Sequence, residues 1–232
     1  MDFWHITLAL TKGLGFTALI FLITLIISLP LGLGISFGSM SKIKFVSAIT
    51  KAFVWVIRGT PLMLQIIFFT FGPNIVMIAI ENLSGNTIDL RNLYINSSVE
   101  MFIMVCIAFS INYACYFSEI FRGGIQSVPR GQYEAADVLG MTKSQTFSKV
   151  IFLQLVKRII PPMSNEIITL VKDTALASVA ISVDLFTKAK EFTNIYASLF
   201  PIFYAGLFYL VFNGIITIAL SKFEKKLNYF KV

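Results

Sequence analysis

The stretch Gln132-Tyr133-Glu134-Ala135-Ala136-Asp137-Val138-Leu139-Gly140, running on to Val150-Ile151-Phe152, is too polar to cross a membrane, yet it lies between segments apolar enough to do so. The surroundings of that stretch set the class. Of 232 residues, 56% are hydrophobic and 13% charged, and the mean hydropathy is +0.80. A water-soluble fold of this composition would have too little polar surface to cover its core. The chain therefore reads as an all-α integral membrane protein. A hydrocarbon layer about 30 Å thick needs roughly 20 apolar residues of helix. Five runs qualify: 14–40, 62–80, 101–120, 159–182 and 199–220. The first is too long, and too poor in basic residues ahead of it, to read as a cleaved signal peptide, so it is taken as a span.

Orientation follows from lysine and arginine, which are retained on the cytoplasmic side of spans. Lys42, Lys44, Lys51 and Arg58 follow the first run; Arg122, Arg130, Lys143, Lys149, Lys157 and Arg158 follow the third; Lys222, Lys225, Lys226 and Lys231 close the chain. The other side carries Lys12, Arg91, Lys188 and Lys190, accompanied by Asp2, Glu81, Asp89, Asp184 and Glu191. The N-terminus is thus expected outside and the C-terminus in the cytoplasm. This asymmetry and contact with anionic headgroups account for the net charge of +7. No basic residues interleave with aromatic ones in the manner of a nucleic-acid surface.

Other signals are weak. Cys106 and Cys115 lie nine positions apart on one predicted helix, about 13 Å at the helical rise, beyond disulfide reach. His5 is the only histidine, which leaves no material for a histidine-based metal site or proton relay. Asn-x-Ser patterns at Asn82 and Asn96 are short enough to arise by chance. Without a Ser/Gly linker or a low-complexity tract, residues 1–232 form one membrane domain, and the longest external connection, 82–98, is too short to fold alone. The spans do not pair into similar halves, as they do in many carriers built from repeats, so a partner subunit is expected to complete any pathway.

Two connections carry local chemistry. In Arg58-Gly59-Thr60-Pro61, Thr60 is a plausible N-cap and Pro61 a plausible first helical residue for the second span. In the long cytoplasmic segment, about 128–153, Pro129 and Gly131 break the preceding helix and Glu134 to Leu139 favours a short one. Gly140 interrupts that helix, and Thr142 or Ser144 can cap a second reaching Phe152. Two short helices joined at a glycine make a docking element.

Glu134-Ala135-Ala136, three residues, Gly140, nine residues, then apolar Val150 resembles the coupling-loop motif of ABC importer permeases. Further words agree in order: Arg58-Gly59-Thr60-Pro61-Leu62 with Gln65; Glu119-Ile120-Phe121-Arg122-Gly123-Gly124-Ile125; Pro161-Pro162; and Lys172-Asp173-Thr174-Ala175-Leu176. Together they resemble the polar amino acid subfamily over nearly the whole chain. Two departures stand out. Phe152-Leu153 replaces the usual Leu-Pro after the spacer, which removes the proline that would end the second coupling helix, and Trp55 stands where relatives often have an acid ahead of Arg58.

The resemblance implies that Glu134, Ala135, Ala136, Asp137 and Gly140 dock into a groove of a separate ATPase subunit. The chain has no Gly-Lys dipeptide, hence no phosphate loop, and is not expected to be an enzyme or to bind a cofactor; ATP and Mg would belong to the partner ATPase. Ionisable groups within spans cost at least about 2.5–3.5 kcal/mol at the membrane centre on insertion scales, so each must face an interior or an aqueous cavity. Glu166, Lys172 and Asp173 in the fourth run and Glu119 in the third are such groups. Helical spacing puts Glu166, Thr169 and Asp173 on one face, and Asn112, Tyr116 and Glu119 on another. These faces, with Gln65 and Asn165, can line a path in which a glutamate favours a substrate cation. The alternative is structural: Glu119 pairs with Arg122, and Lys172 with Asp173 or with a partner subunit. The Asn165-Glu166 pair is similar to one in permeases for basic amino acids, which implies arginine, lysine or histidine. Trp4, Trp55 and Tyr209 read as interface anchors, and Gly13, Gly15, Gly32, Gly34 and Gly38 as sites of close helix packing.

The expectation is a permease of the cell membrane, homodimeric or paired with a similar chain, with two ATPase subunits, an extracytoplasmic solute-binding protein and no nucleic-acid partner. The competing reading is a self-contained ion-coupled carrier or channel; a membrane enzyme is disfavoured because no nucleophile–base pair or metal-ligand cluster is visible.

Overall fold

The computed structural model describes residues 3–84 and 94–227; Asp2, Asp89, Arg91, Lys231 and most of the connection 82–98 lie outside the described residues. Within them all regular structure is helical. The order is α1 (Phe3–Ser39), α2 (Lys44–Gly59), α3 (Leu62–Leu83), α4 (Ser98–Gln126), α5 (Arg130–Val138), α6 (Lys143–Gln145), a π-turn (Thr146–Ile151), α7 (Phe152–Asp173), a 3-10 turn (Thr174–Val179), α8 (Leu185–Tyr196) and α9 (Phe200–Leu227).

Four of these helices, α1, α3, α4 and α9, are long and apolar enough to cross a membrane. The fourth expected run, 159–182, is displaced. Its helix, α7, begins at Phe152, and from Thr174 the chain tightens into the 3-10 turn. Lys157, Arg158, Glu166, Lys172 and Asp173 make α7 far more polar than the other long helices. α1 likewise begins at Phe3, well before the expected 14. Two helices, α2 and α8, were not foreseen. α2 buries only Val54 and leaves Phe45, Ile49 and Phe53, four residues apart, exposed along one side.

The break between α2 and α3 differs from the expected cap. Thr60 closes α2: its hydroxyl donates to the Val56 carbonyl at 3.0 Å, and Pro61, not Thr60, is the N-cap of α3. The cause is the helix ahead of it, whose terminal carbonyls need donors.

The core forms where α1, α4 and α7 meet, with Ile20, Phe21, Phe109, Phe117, Leu170 and Val171 buried. In lipid, apolar burial gives helices little reason to associate, so close backbone approach decides the crossings. A Cβ on Gly32 would stand 2.8 Å from the Ala114 carbonyl oxygen of α4, one on Gly13 2.8 Å from the Leu185 Cα of α8, and one on Gly38 2.9 Å from the Thr50 hydroxyl of α2. A Cβ on Gly15 or Gly34 would meet no atom within 4 Å among the described residues, contrary to the expected close packing. Gly124 was missed as a packing residue: a Cβ there would meet Ile159 at 2.5 Å, which sets the approach of α4 to α7. A second cluster, with Ile6, Leu10, Leu185, Ala189 and Phe192, seats α8 on α1, and buried Asp184 caps α8 through the backbone N–H groups of Phe186 and Thr187. Trp4 and Trp55 are exposed as anchors would be, whereas Tyr209 packs against both clusters.

Candidate functional site

The central segment folds as a helix, a left-handed turn and a second helix. Gly140 has φ +69°; its N–H donates to Asp137, and the Met141 N–H donates to Ala136, both at 3.0 Å. This pair of bonds is a Schellman motif, which satisfies the last carbonyls of α5 and requires the left-handed conformation that glycine adopts without strain. Thr142, rather than Ser144, caps the next helix: its hydroxyl accepts from the Gln145 N–H, while the Gln145 side chain accepts from the Thr142 N–H. The second helix does not stop at Phe152. It passes through the π-turn, where Val150 lies, directly into α7, as the missing proline allows. This segment is therefore continuous with a helix that lines one of the cavities described below.

Of the two adjacent alanines, Ala136 is 2% exposed and faces inward, whereas Glu134, Ala135 and Asp137 are exposed. Beside the turn, Val138 and Leu139 are 88% and 78% exposed. Two large apolar side chains thus stand exposed together next to the turn. Around the segment, Arg158 of α7 donates to the Ser127 carbonyl at the end of α4, and Gln154 of α7 donates to Gln132 of α5 at 3.1 Å.

A second candidate region opens at the α2–α3 break. Here a cavity of about 480 Å³ is walled by Arg58 to Leu62, by Asn112, Tyr113 and Tyr116 of α4, and by Glu166, Thr169 and Asp173 of α7. A neighbouring cavity of about 560 Å³ is lined by Lys51, Val54, Trp55, Arg58, Gly59, Tyr116, Glu119 and Arg122. Arg58, Gly59 and Tyr116 belong to both.

The expected path residues thus divide. Asn112, Tyr116, Glu166 and Thr169 meet at one cavity, but exposed Asn165 is not among its walls, and the Thr169 hydroxyl donates to the Asn165 carbonyl at 3.0 Å. Gln65 is 7% exposed and spent on protein groups: its Nε2 donates to the Ile57 carbonyl and the Thr60 hydroxyl, each at 2.7 Å, and its Oε1 accepts from Asn112 at 3.0 Å. Glu119 is chelated by Arg122, which donates through Nε and Nη2 at 3.0 and 2.5 Å. Arg58 stands 3.9 Å from the same carboxylate, with its guanidinium 4.9 Å from the Tyr116 ring centre. Asp173 accepts from the Tyr113 hydroxyl at 2.7 Å, and Lys172 is exposed. Glu166 has no hydrogen-bond or ion-pair partner among the described residues.

Sequence reading missed Tyr113, Lys51 and Trp55. Tyr113 follows Asn112 and is offset by three from Tyr116, so helical spacing alone could have found it. Lys51 and Trp55 stood outside any expected helix, and only recognition of α2 would have placed them.

Residues 28–229 match the family described as binding-protein-dependent transport system inner membrane component. The L-cystine transport system permease protein TcyB of Bacillus subtilis is 36% identical over 82% of this chain and 72% of its own. The arginine transport system permease protein ArtQ of Bacillus subtilis is 33% identical over 94% of this chain and 91% of its own. The crystal structure of an amino acid ABC transporter with histidines superposes with a TM-score of 0.78 at 30% identity, covering 97% of this chain and 99% of that one.

Proposed function

Because the chain belongs to the family of binding-protein-dependent transport system inner membrane components, we propose that it is the membrane-spanning subunit of an ATP-driven importer of amino acids. The relatives named for L-cystine and arginine, and the similar amino acid ABC transporter, support that substrate class. In this reading α7 is a fifth span, the basic end of the bundle faces the cytoplasm and the N-terminus lies outside. The pathway is completed by a second permease chain, identical or homologous; two ATPase subunits bind ATP and Mg, and an extracytoplasmic binding protein delivers the substrate.

The observation that carries the proposal is the Schellman turn at Gly140, which holds exposed Glu134, Ala135, Asp137, Val138 and Leu139 on a segment continuous with α7. Closure of an ATPase dimer against this surface would displace α7, and with it Glu166, Thr169 and Asp173, between inward-open and outward-open states. Asn112, Tyr116, Glu166 and Thr169 would contact the substrate, while Gln65 and Asn165 act through their neighbours. A partnerless carboxylate at Glu166 favours a cationic group, and hence arginine, lysine or histidine.

The test is amino-acid-stimulated ATP hydrolysis by the chain co-expressed with its ATPase in nanodiscs, with and without Ala135→Asp plus Gly140→Asp. Loss of ATPase assembly or of stimulated hydrolysis is expected, and the stimulating amino acid names the substrate. Unchanged coupling in the double variant, or transport by the isolated chain in liposomes, would overturn the proposal.

A further inference from the structure

Arg58 carries a positive charge that no carboxylate of the described residues holds by a hydrogen bond. Glu119 is the one carboxylate within 4 Å of it among the described residues, and that carboxylate is already held by two donors of Arg122. At 3.9 Å the Arg58 guanidinium is too far to hydrogen-bond to it. Two guanidinium groups around one carboxylate leave an excess positive charge, and Lys51 lines the same cavity. The Tyr116 ring, 4.9 Å away, steadies the cation without cancelling it. Across the other cavity that Arg58 lines, Glu166 has the opposite deficit, a carboxylate with no hydrogen-bond or ion-pair partner among the described residues. One polar chamber thus holds a cation and an anion on different helices, neither hydrogen-bonded to a partner of opposite charge. A zwitterionic ligand in this chamber would give each of the two charges a partner of opposite sign.

We propose that Arg58 binds the α-carboxylate of the transported amino acid and that, by turning from Glu119 toward it, Arg58 also controls passage between the two cavities it separates. The inference rests on the importer reading and goes beyond it by giving the invariant part of the substrate a specific partner. Arg122 makes the movement feasible, because Glu119 keeps its bidentate partner when Arg58 leaves. The guanidinium fork matches a carboxylate bidentately, which a lysine at this position would not reproduce.

The test measures direct binding to the complete transporter complex in nanodiscs, without the solute-binding protein. It compares arginine with argininamide, which keeps both cationic groups and replaces the carboxylate with a neutral amide. The unaltered complex should bind arginine roughly 10- to 100-fold more tightly than argininamide, the range for a hydrogen bond to a charged group. Arg58→Gln should bring that ratio near one, with a size-exclusion profile matching that of the unaltered complex showing that the variant is folded. Arg58→Lys should restore part of the ratio, and Glu166→Gln should weaken both ligands together. Equal loss of both ligands in Arg58→Gln, or a ratio near one in the unaltered complex, would overturn the carboxylate role. If neither compound binds but glutamine does, and Arg58→Gln abolishes the preference of glutamine over its α-amide, the role of Arg58 stands and the preference for basic substrates falls.

Discussion

Gln65 of α3 and Asn112 of α4 share a buried hydrogen bond of 3.0 Å, and through it the break between α2 and α3 is fastened to the centre of the bundle. The other end of Gln65 holds the α2 terminus, through the Ile57 carbonyl and Thr60. Arg58 lies between those two acceptors, so the position of its guanidinium depends on this bridge. Gln65→Leu, close in volume, would leave the part-buried Ile57 carbonyl and the buried Asn112 amide without this partner. The expected loss is about 1–3 kcal/mol. It is read as a lower unfolding temperature of the detergent-solubilised complex, with weakened binding of charged and neutral ligands alike.

Gly140 should tolerate substitution in an order set by the left-handed conformation at φ +69°. No neighbouring atom would touch a Cβ there, so backbone strain alone decides the outcome. Gly140→Asn should retain most stimulated ATP hydrolysis, and Gly140→Val should lose most of it, since a β-branched residue strongly resists positive φ. Equal activity of the two variants would show that the turn is not what positions α5.

The adjacent alanines should behave oppositely. Ala136→Asp places a carboxylate at a site that is 2% exposed, leaving a charge without partners, and should reduce the amount of folded protein recovered from membranes. Ala135→Asp, on the exposed side, should leave recovery unchanged and lower co-purification of the ATPase instead. Size-exclusion profiles and subunit ratios on gels distinguish the two effects.

Gly32 and Gly34 form a matched pair. Gly32→Ala drives a methyl group against the Ala114 carbonyl and the Phe117 side chain, so α1 must move away from α4, at a cost of about 1–3 kcal/mol. Gly34→Ala meets nothing and should be neutral or slightly stabilising, since alanine is the better helix former. Thermal unfolding of the two variants side by side checks the difference.

The Glu134-Ala135-Ala136 to Gly140 pattern was legible in the sequence because helix ends follow local rules: a glycine for the left-handed residue, Thr142 with Gln145 for the cap, and no proline to end the second helix. The membrane class and four of the helices were legible because an apolar run of sufficient length has few alternatives in lipid. The pairing of Glu119 with Arg122 was also visible, as an offset of three on one helix. α2 escaped notice because its apolar residues are periodic but interrupted by Lys44 and Lys51, and a search for uncharged runs discards such a pattern.

Everything that depends on distance between helices was decided by the tertiary structure. Gln65 reads as a polar residue free for substrate until Asn112 and the end of α2 are seen to use both ends of its amide. Gly32 and Gly34 are alike in sequence and differ only in which side of α1 meets α4. Arg58 is an ordinary basic residue near a span until Arg122 is found to have taken Glu119 first. Local chemistry sets how each segment folds, whereas competition among partners for a single carboxylate or amide is settled only when several helices have packed together.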